Sequence, residues 1–313
     1  MAGLVTAESK VMTTATASYA ALFAKWIEFA QVKPASVASY TKGVKNFFAF
    51  VQGNGFSEIN REVLLSYREH LGATYQAATA NLYLTATKLF VAFLHQEGII
   101  ATDVTERIKN FKVSEEHAKD ALSAETTRKI IASFDTSTLR GKRDAAIYTT
   151  MTTCGLRCVE VARANVGDIV PRGEKVFLQV QGKGRDDKKE CVELPAGVYK
   201  LIRNYLDERG NPSADVPLFA SVSHRNNAER LTTNSISRLI KGILRANGID
   251  SERVTAHSLR HTCANTMITN GVELRRVQEV LRHKSVRVTE RYLHELDRYN
   301  NGGESVAAKA FGL

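Results

Sequence analysis

Four short clusters in the second half of the chain hold side chains able to act on a phosphate ester. Gly155-Leu156-Arg157-Cys158-Val159-Glu160 offers a guanidinium and a carboxylate. Gly182-Lys183-Gly184 offers a lysine in a turn. His257-Ser258-Leu259-Arg260-His261 offers two imidazoles and a guanidinium, and Leu281-Arg282-His283 is followed nine residues on by Tyr292. Phosphodiester cleavage builds negative charge on the non-bridging oxygens, and guanidinium groups meet that charge with paired donors. A tyrosine phenol can form a reversible phosphate ester, but with a reference pKa near ~10 it needs a base. The departing oxygen needs a proton donor, which lysine or histidine can supply. Arg157, Lys183, His257, Arg260, His283 and Tyr292 fill that inventory.

Each signal also has an ordinary structural reading. Arg157 could be a surface ion pair with Glu160, and Gly-Lys-Gly only a turn. His257 and His261 could be a capping and a core histidine, and Tyr292, one of ten tyrosines, a packing residue. A zinc site from Cys154, Cys158, His261 and Cys263 lacks a Cys-x-x-Cys pair and is not expected. Reduced thiols in a cytoplasm are the simpler account.

The elements that must position these groups are mostly helices. Val37, Tyr40, Val44, Phe47, Phe48 and Val51 recur at helical spacing, giving a helix over 36–52. Further helices are expected over 60–71 and 75–96, the latter with Leu82, Leu89, Phe90, Phe93 and Leu94 on its apolar side. Residues 112–120 are charged with little to bury and read as a linker. That divides the chain into 1–111, the linker, and 121–313. Helices over 124–134 and 143–153 follow, then short strands over 175–181 and 190–194 around the Gly182 turn. Helices resume over 196–208, 233–247 and 258–269. Leu274, Val277, Val280 and Leu281 repeat at helical spacing, and a last helix is expected over 286–294. Beyond about 300, Gly302-Gly303 leads to a tail with Val306 and Phe311. The fold class is mainly α: a helical first domain, then an α+β domain with a small antiparallel sheet. No strand-helix alternation or Walker loop supports a doubly wound nucleotide fold.

The chain has 313 residues, 43 Lys plus Arg against 33 Asp plus Glu, and a net charge of +10. That length fits two domains, and that charge suits a polyanion. Eight Lys or Arg against three Asp or Glu lie between Arg253 and Tyr292. Lys42, Lys45, Lys88, Arg282 and Lys284 are candidate DNA contacts. No apolar run of ~18 residues and no secretory leader are expected.

The order Arg, Lys, His-x-x-Arg, His, Tyr at these intervals resembles the tyrosine recombinase (phage integrase) family, over about 121–294. Family members carry Gly-Leu-Arg-x-x-Glu, a Gly-Lys-Gly hairpin, His-x-Leu-Arg-His, and Leu-Gly-His with a tyrosine nine residues on. Here Arg282 stands where the glycine is usual, and Lys188 and Lys189 remain alternatives to Lys183. The resemblance is to the simple two-domain Xer- or Cre-like type. It implies that Tyr292 attacks the scissile phosphate to give a 3′-phosphotyrosine, with Arg157 and Arg260 on the non-bridging oxygens. Lys183 would protonate the 5′-oxygen, His257 would act as base, His283 would hydrogen-bond the phosphate, and Glu160 would brace the arginines. It implies no cofactor and no metal. Its partners would be double-stranded DNA with specific sites and three further copies of the chain, a tetramer on DNA and a monomer free in solution. It also implies a nucleoid-associated protein of a prokaryotic cytoplasm, without a membrane partner. The alternatives are type IB topoisomerase-like relaxation, a silent DNA-binding regulator of the same fold, and a metal-dependent phosphohydrolase.

Overall fold

The computed structural model describes residues 16–113, 120–182, 187–223, 227–283 and 308–311, with side chains from 22 onward except at 35. The helix expected over 286–294, and with it Tyr292, Lys284 and Lys183, lies outside the described residues. Two compact units emerge, Met1–Ser114 and Glu115–Leu313.

The first unit contains α1 (Thr16–Phe29), α2 (Pro34–Gly53), α3 (Arg61–Thr74) and α4 (Ala77–Gln96). Pro34 opens α2, where its missing N–H costs nothing. The Asn60 side chain caps α3 by accepting from the Val63 N–H at 3.0 Å. Phe47, Leu64, Tyr67, Leu71 and Leu84 form one part of the core. Trp26, Val44, Ala86, Phe90 and Phe93 form another. A Cβ on Gly43 would lie 3.0 Å from Ala86 Cβ, so α2 and α4 meet closely there. Of the expected stripe on α4, Phe90, Phe93 and Leu94 are buried, but Leu82 is exposed and Leu89 half-buried, and Tyr83, Leu84, Ala86 and Thr87 fill the buried face instead. This helix has a mean hydropathy of 1.3, enough by length and composition to cross a membrane. Half of it is buried against its neighbours, as a core helix requires.

Polar side chains sew the segment after α4 onto the bundle. The Asn81 amide accepts from the Phe111 N–H at 2.7 Å and donates to the Phe111 carbonyl at 2.9 Å. Arg68 Nε donates to the Lys109 carbonyl at 2.7 Å, and its guanidinium lies over the Phe111 ring. The Lys88 ammonium donates to the Ile108 carbonyl and to Asn110 Oδ1.

The second unit begins with α5 (Ala124–Ala132), α6 (Leu139–Cys154) and α7 (Cys158–Arg163). A 3-10 turn, Val166–Asp168, leads into β1 (Ile169–Arg172), β2 (Lys175–Val180) and β3 (Glu190–Leu194). The strands pair antiparallel in the order β1-β2-β3. Leu178 faces Val192 across the ladder, and both are buried. Then come α8 (Ala196–Glu208), α9 (Thr233–Ala246), α10 (Ala256–Thr269) and α11 (Leu274–Leu281). The middle of α6 is buried on every side, from Ala145 to Thr152. A helix so enclosed is the axis around which the unit packs.

Candidate active site

The site grows from the end of that central helix. Gly155 terminates α6 in a left-handed conformation, with φ at +61°. A Cβ there would approach Leu281 Cδ2 to 2.5 Å. Glycine meets both demands, and the sharp turn places Arg157 at the N-cap of α7. The Glu160 carboxylate, 0% exposed, accepts from the Arg157 backbone N–H at 2.8 Å. Its other oxygen accepts from Arg157 Nη1 at 2.7 Å. The guanidinium of Arg157 is thus fixed on one side, and the side chain as a whole is 26% exposed.

Arg260 rises from α10 into the same place and is 1% exposed. Its Nη1 donates to the Gly155 carbonyl at 2.5 Å, and its Nη2 donates to the Leu281 carbonyl. Arg157 Nη2 reaches the next carbonyl along, that of Arg282, at 3.5 Å. Two arginines 103 positions apart in the sequence therefore meet on consecutive carbonyls at the C-terminal end of α11. A helix C-terminus presents unsatisfied carbonyls and partial negative charge, which suits cations.

His283 follows at once. Burial, then the positive charges of Arg260, Arg157 and Arg282, and last His257, push its pKa from the usual range down to about 3. The ring is neutral near pH 7 and can donate one N–H while accepting at the other nitrogen. His257 is exposed at the start of α10, with its ring edge-on to buried His261, centroids 4.8 Å apart.

The structure thus gathers Arg157, Glu160, His257, Arg260 and His283. It gives two candidate DNA contacts other work. Lys88 is spent on the Ile108 carbonyl and Asn110, as described. The side chain of Arg282 is 5% exposed and turned inward. Lys42 and Lys45 are exposed on α2. Of the alternatives to Lys183, Lys188 pairs with Asp168 Oδ2 at 2.5 Å and Lys189 with Asp187. Sequence reasoning missed the part played by the Gly155 carbonyl; the only available signal was glycine at a helix end directly before the arginine.

Residues 120–298, more than half of the chain, match the model of the phage integrase family, and residues 23–98 match that of the phage integrase N-terminal SAM-like domain. The chain belongs to the phage integrase family, the tyrosine recombinases. Tyrosine recombinase XerC of Pelobacter propionicus is 28% identical over 273 residues, 85% of this chain and 87% of its own length. Tyrosine recombinase XerA of Pyrococcus furiosus is 29% identical over 270 residues, 86% and 87% of the two chains. Among solved structures, XerH recombinase bound to a palindromic difH substrate superposes with a TM-score of 0.71 at 19% identity. That match covers 87% of this chain and 79% of the other. A lambda integrase dimer on a COC′ core site gives 0.66 at 17% identity, over 93% and 81%. These likenesses show the fold of this tyrosine recombinase: a SAM-like helical domain and a mixed catalytic domain.

Proposed function

We propose that this chain is a site-specific DNA recombinase that cuts and rejoins strands through a phosphotyrosine at Tyr292. The observation that carries the reading is the meeting of Arg157 and Arg260 beside His283, at the end of α11. Glu160 and the Arg282 carbonyl hold the Arg157 guanidinium from one side while its side chain stays 26% exposed to an approaching anion, and Arg260, 1% exposed, brings a second positive charge to the same helix end. The phenol oxygen of Tyr292 bonds to phosphorus as the bond to the 5′-oxygen breaks. Arg157 and Arg260 stabilise the non-bridging oxygens, and neutral His283 donates an N–H to one of them. His257 takes the phenol proton, and Lys183 protonates the departing 5′-oxygen. With Lys188 engaged by Asp168, Lys183 is the lysine assigned to this step. One phosphoester replaces another, so the bond is conserved for rejoining and no outside energy source is required.

The partner is duplex DNA carrying specific sites, and the active assembly is a tetramer on that DNA, in a prokaryotic cytoplasm. A lambda integrase tetramer bound to a Holliday junction shares the fold at a TM-score of 0.64. The test is trapping on a nicked suicide substrate in chelator. Wild type should yield a denaturant-resistant protein–DNA adduct, and Tyr292→Phe should bind the same DNA and yield none. An adduct formed by Tyr292→Phe would overturn the assignment.

A further inference from the structure

Arg282 is an expensive residue where it stands. It adopts φ +54°, ψ +46°, a left-handed conformation that is unfavourable for any residue but glycine. Its guanidinium is taken almost wholly out of water. Its Nε is buried and finds no acceptor among the described residues. Glycine would remove all three costs. What the arginine gains is a set of contacts in the middle of the site. Nη1 donates to the Val280 carbonyl at 2.6 Å. Nη2 lies 2.8 Å from Glu160 Oε2 and 3.4 Å from the Gly155 carbonyl.

Glu160 therefore carries a guanidinium on each oxygen, Arg157 on Oε1 and Arg282 on Oε2. Arg282 is also tied to Arg157 through its backbone, whose carbonyl accepts from Arg157 Nη2. The Gly155 carbonyl is shared by Arg260 and Arg282. Arg157 reaches Glu160 directly, whereas among the described residues the contacts that join Arg260 to that carboxylate run through the Gly155 carbonyl and Arg282.

Resting on the recombinase reading above, we propose that Arg282 is a positioning residue: it locks the Glu160 carboxylate in the rotamer that aims the Arg157 guanidinium at the scissile phosphate. Without it, Glu160 keeps one cationic partner, and its Oε2 is held by the Arg157 backbone N–H alone. Arg157 then samples orientations that no longer match the phosphate oxygens. Misplacement of a catalytic group by about 1 Å lowers rate by up to roughly a hundredfold.

The test compares the full chain with Arg282→Gly, Arg282→Lys, Glu160→Gln and the Gly/Gln double variant. Three quantities are read: thermal midpoint, DNA affinity with its salt dependence, and single-turnover adduct formation at saturating DNA. Arg282→Gly should fold, since glycine favours the backbone conformation there. It should bind DNA as wild type does, and form adduct about ten- to a hundredfold more slowly. Arg282→Lys should recover part of the rate, because an ammonium can reach one carboxylate oxygen but not hold the fork. In the Glu160→Gln background the Arg282→Gly change should add less than about twofold, as expected for residues acting as one unit. Wild-type rate in Arg282→Gly, or a lysine variant no faster than the glycine one, would overturn the proposal. So would multiplying penalties in the double variant. A salt slope reduced by about one with weakened affinity would identify Arg282 as a phosphate contact and also overturn it. No adduct from the wild type would bring down the recombinase reading itself, and this proposal with it.

Discussion

His283 shows how a single side chain can store pH sensitivity in the folded state. Its ring sits among Arg260, Arg157 and Arg282 and beside His257, and burial plus those charges hold its pKa near 3. In the unfolded chain a histidine titrates near ~6.5. Between those values the unfolded state binds a proton that the folded state refuses, so stability rises with pH across the interval. Lowering pH from 7 to 5 should therefore reduce the wild-type thermal midpoint by more than it reduces that of His283→Gln. Thermal melts at half-unit pH steps measure this, and parallel curves for the two proteins would refute it. The same neutrality suits the ring to donate one hydrogen bond to phosphate without adding to the positive charge of the three arginines around it. The identity of this histidine was legible from its nine-residue distance to Tyr292. Its lowered pKa was not, because the arginines responsible are brought to it from other elements. Arg282 and Lys88 teach the same lesson in reverse. Their charge is plain in the sequence, but its destination inside the protein depends on carbonyls at Ile108, Val280 and Gly155 that only folding delivers.

Among the elements, the junction of α6 and α7 carries the heaviest geometric demand. Gly155 must take φ +61°, leave room for Leu281, and offer its carbonyl to Arg260. Alanine there incurs roughly 1–2 kcal/mol for the left-handed backbone and roughly 1–3 kcal/mol more for overpacking against Leu281. Gly155→Ala should lower the urea midpoint accordingly and abolish adduct formation, because Arg157 and the end of α11 shift together. A variant with wild-type stability and rate would show that the junction tolerates a side chain. Local signals found most of the longer elements: α8 and β3 coincide with the expected 196–208 and 190–194. They failed where an element is short or its environment unusual. Helix α7 has six residues, too few for a period to emerge, and β1 has four with a proline among them. The apolar pattern starts this helix only at 143, whereas α6 begins at Leu139, because Arg140, Gly141 and Lys142 dilute the pattern. Its Thr138 cap, which accepts from the Gly141 N–H at 3.0 Å, was the readable clue. On α4, Leu82 and Leu89 looked like core, but the bundle chose the adjoining face, with small Ala86 set against Gly43.

For the whole molecule, the excess of ten positive charges is a statement about its encounter with DNA, and not every cation serves it equally. Arg282 is neutralised inside by Glu160, and Lys88 is held against a carbonyl. Lys42 and Lys45 differ: both are exposed, and three residues apart on α2 they share one helical face. Cations of that kind act by displacing counterions from the phosphate backbone, an effect indifferent to base sequence. Replacing both with alanine should weaken binding to specific and unrelated duplexes alike. It should also lower the slope of log affinity against log salt by about one for each lysine in contact with phosphate. At saturating DNA the rate of adduct formation per bound complex should stay at the wild-type value, since neither lysine lies in the catalytic unit. Binding isotherms at four salt concentrations, paired with single-turnover adduct assays, separate the two effects. An unchanged slope would assign the DNA-facing charge of the first unit to another surface, and a slower saturated rate would mean that α2 communicates with the site around Arg157.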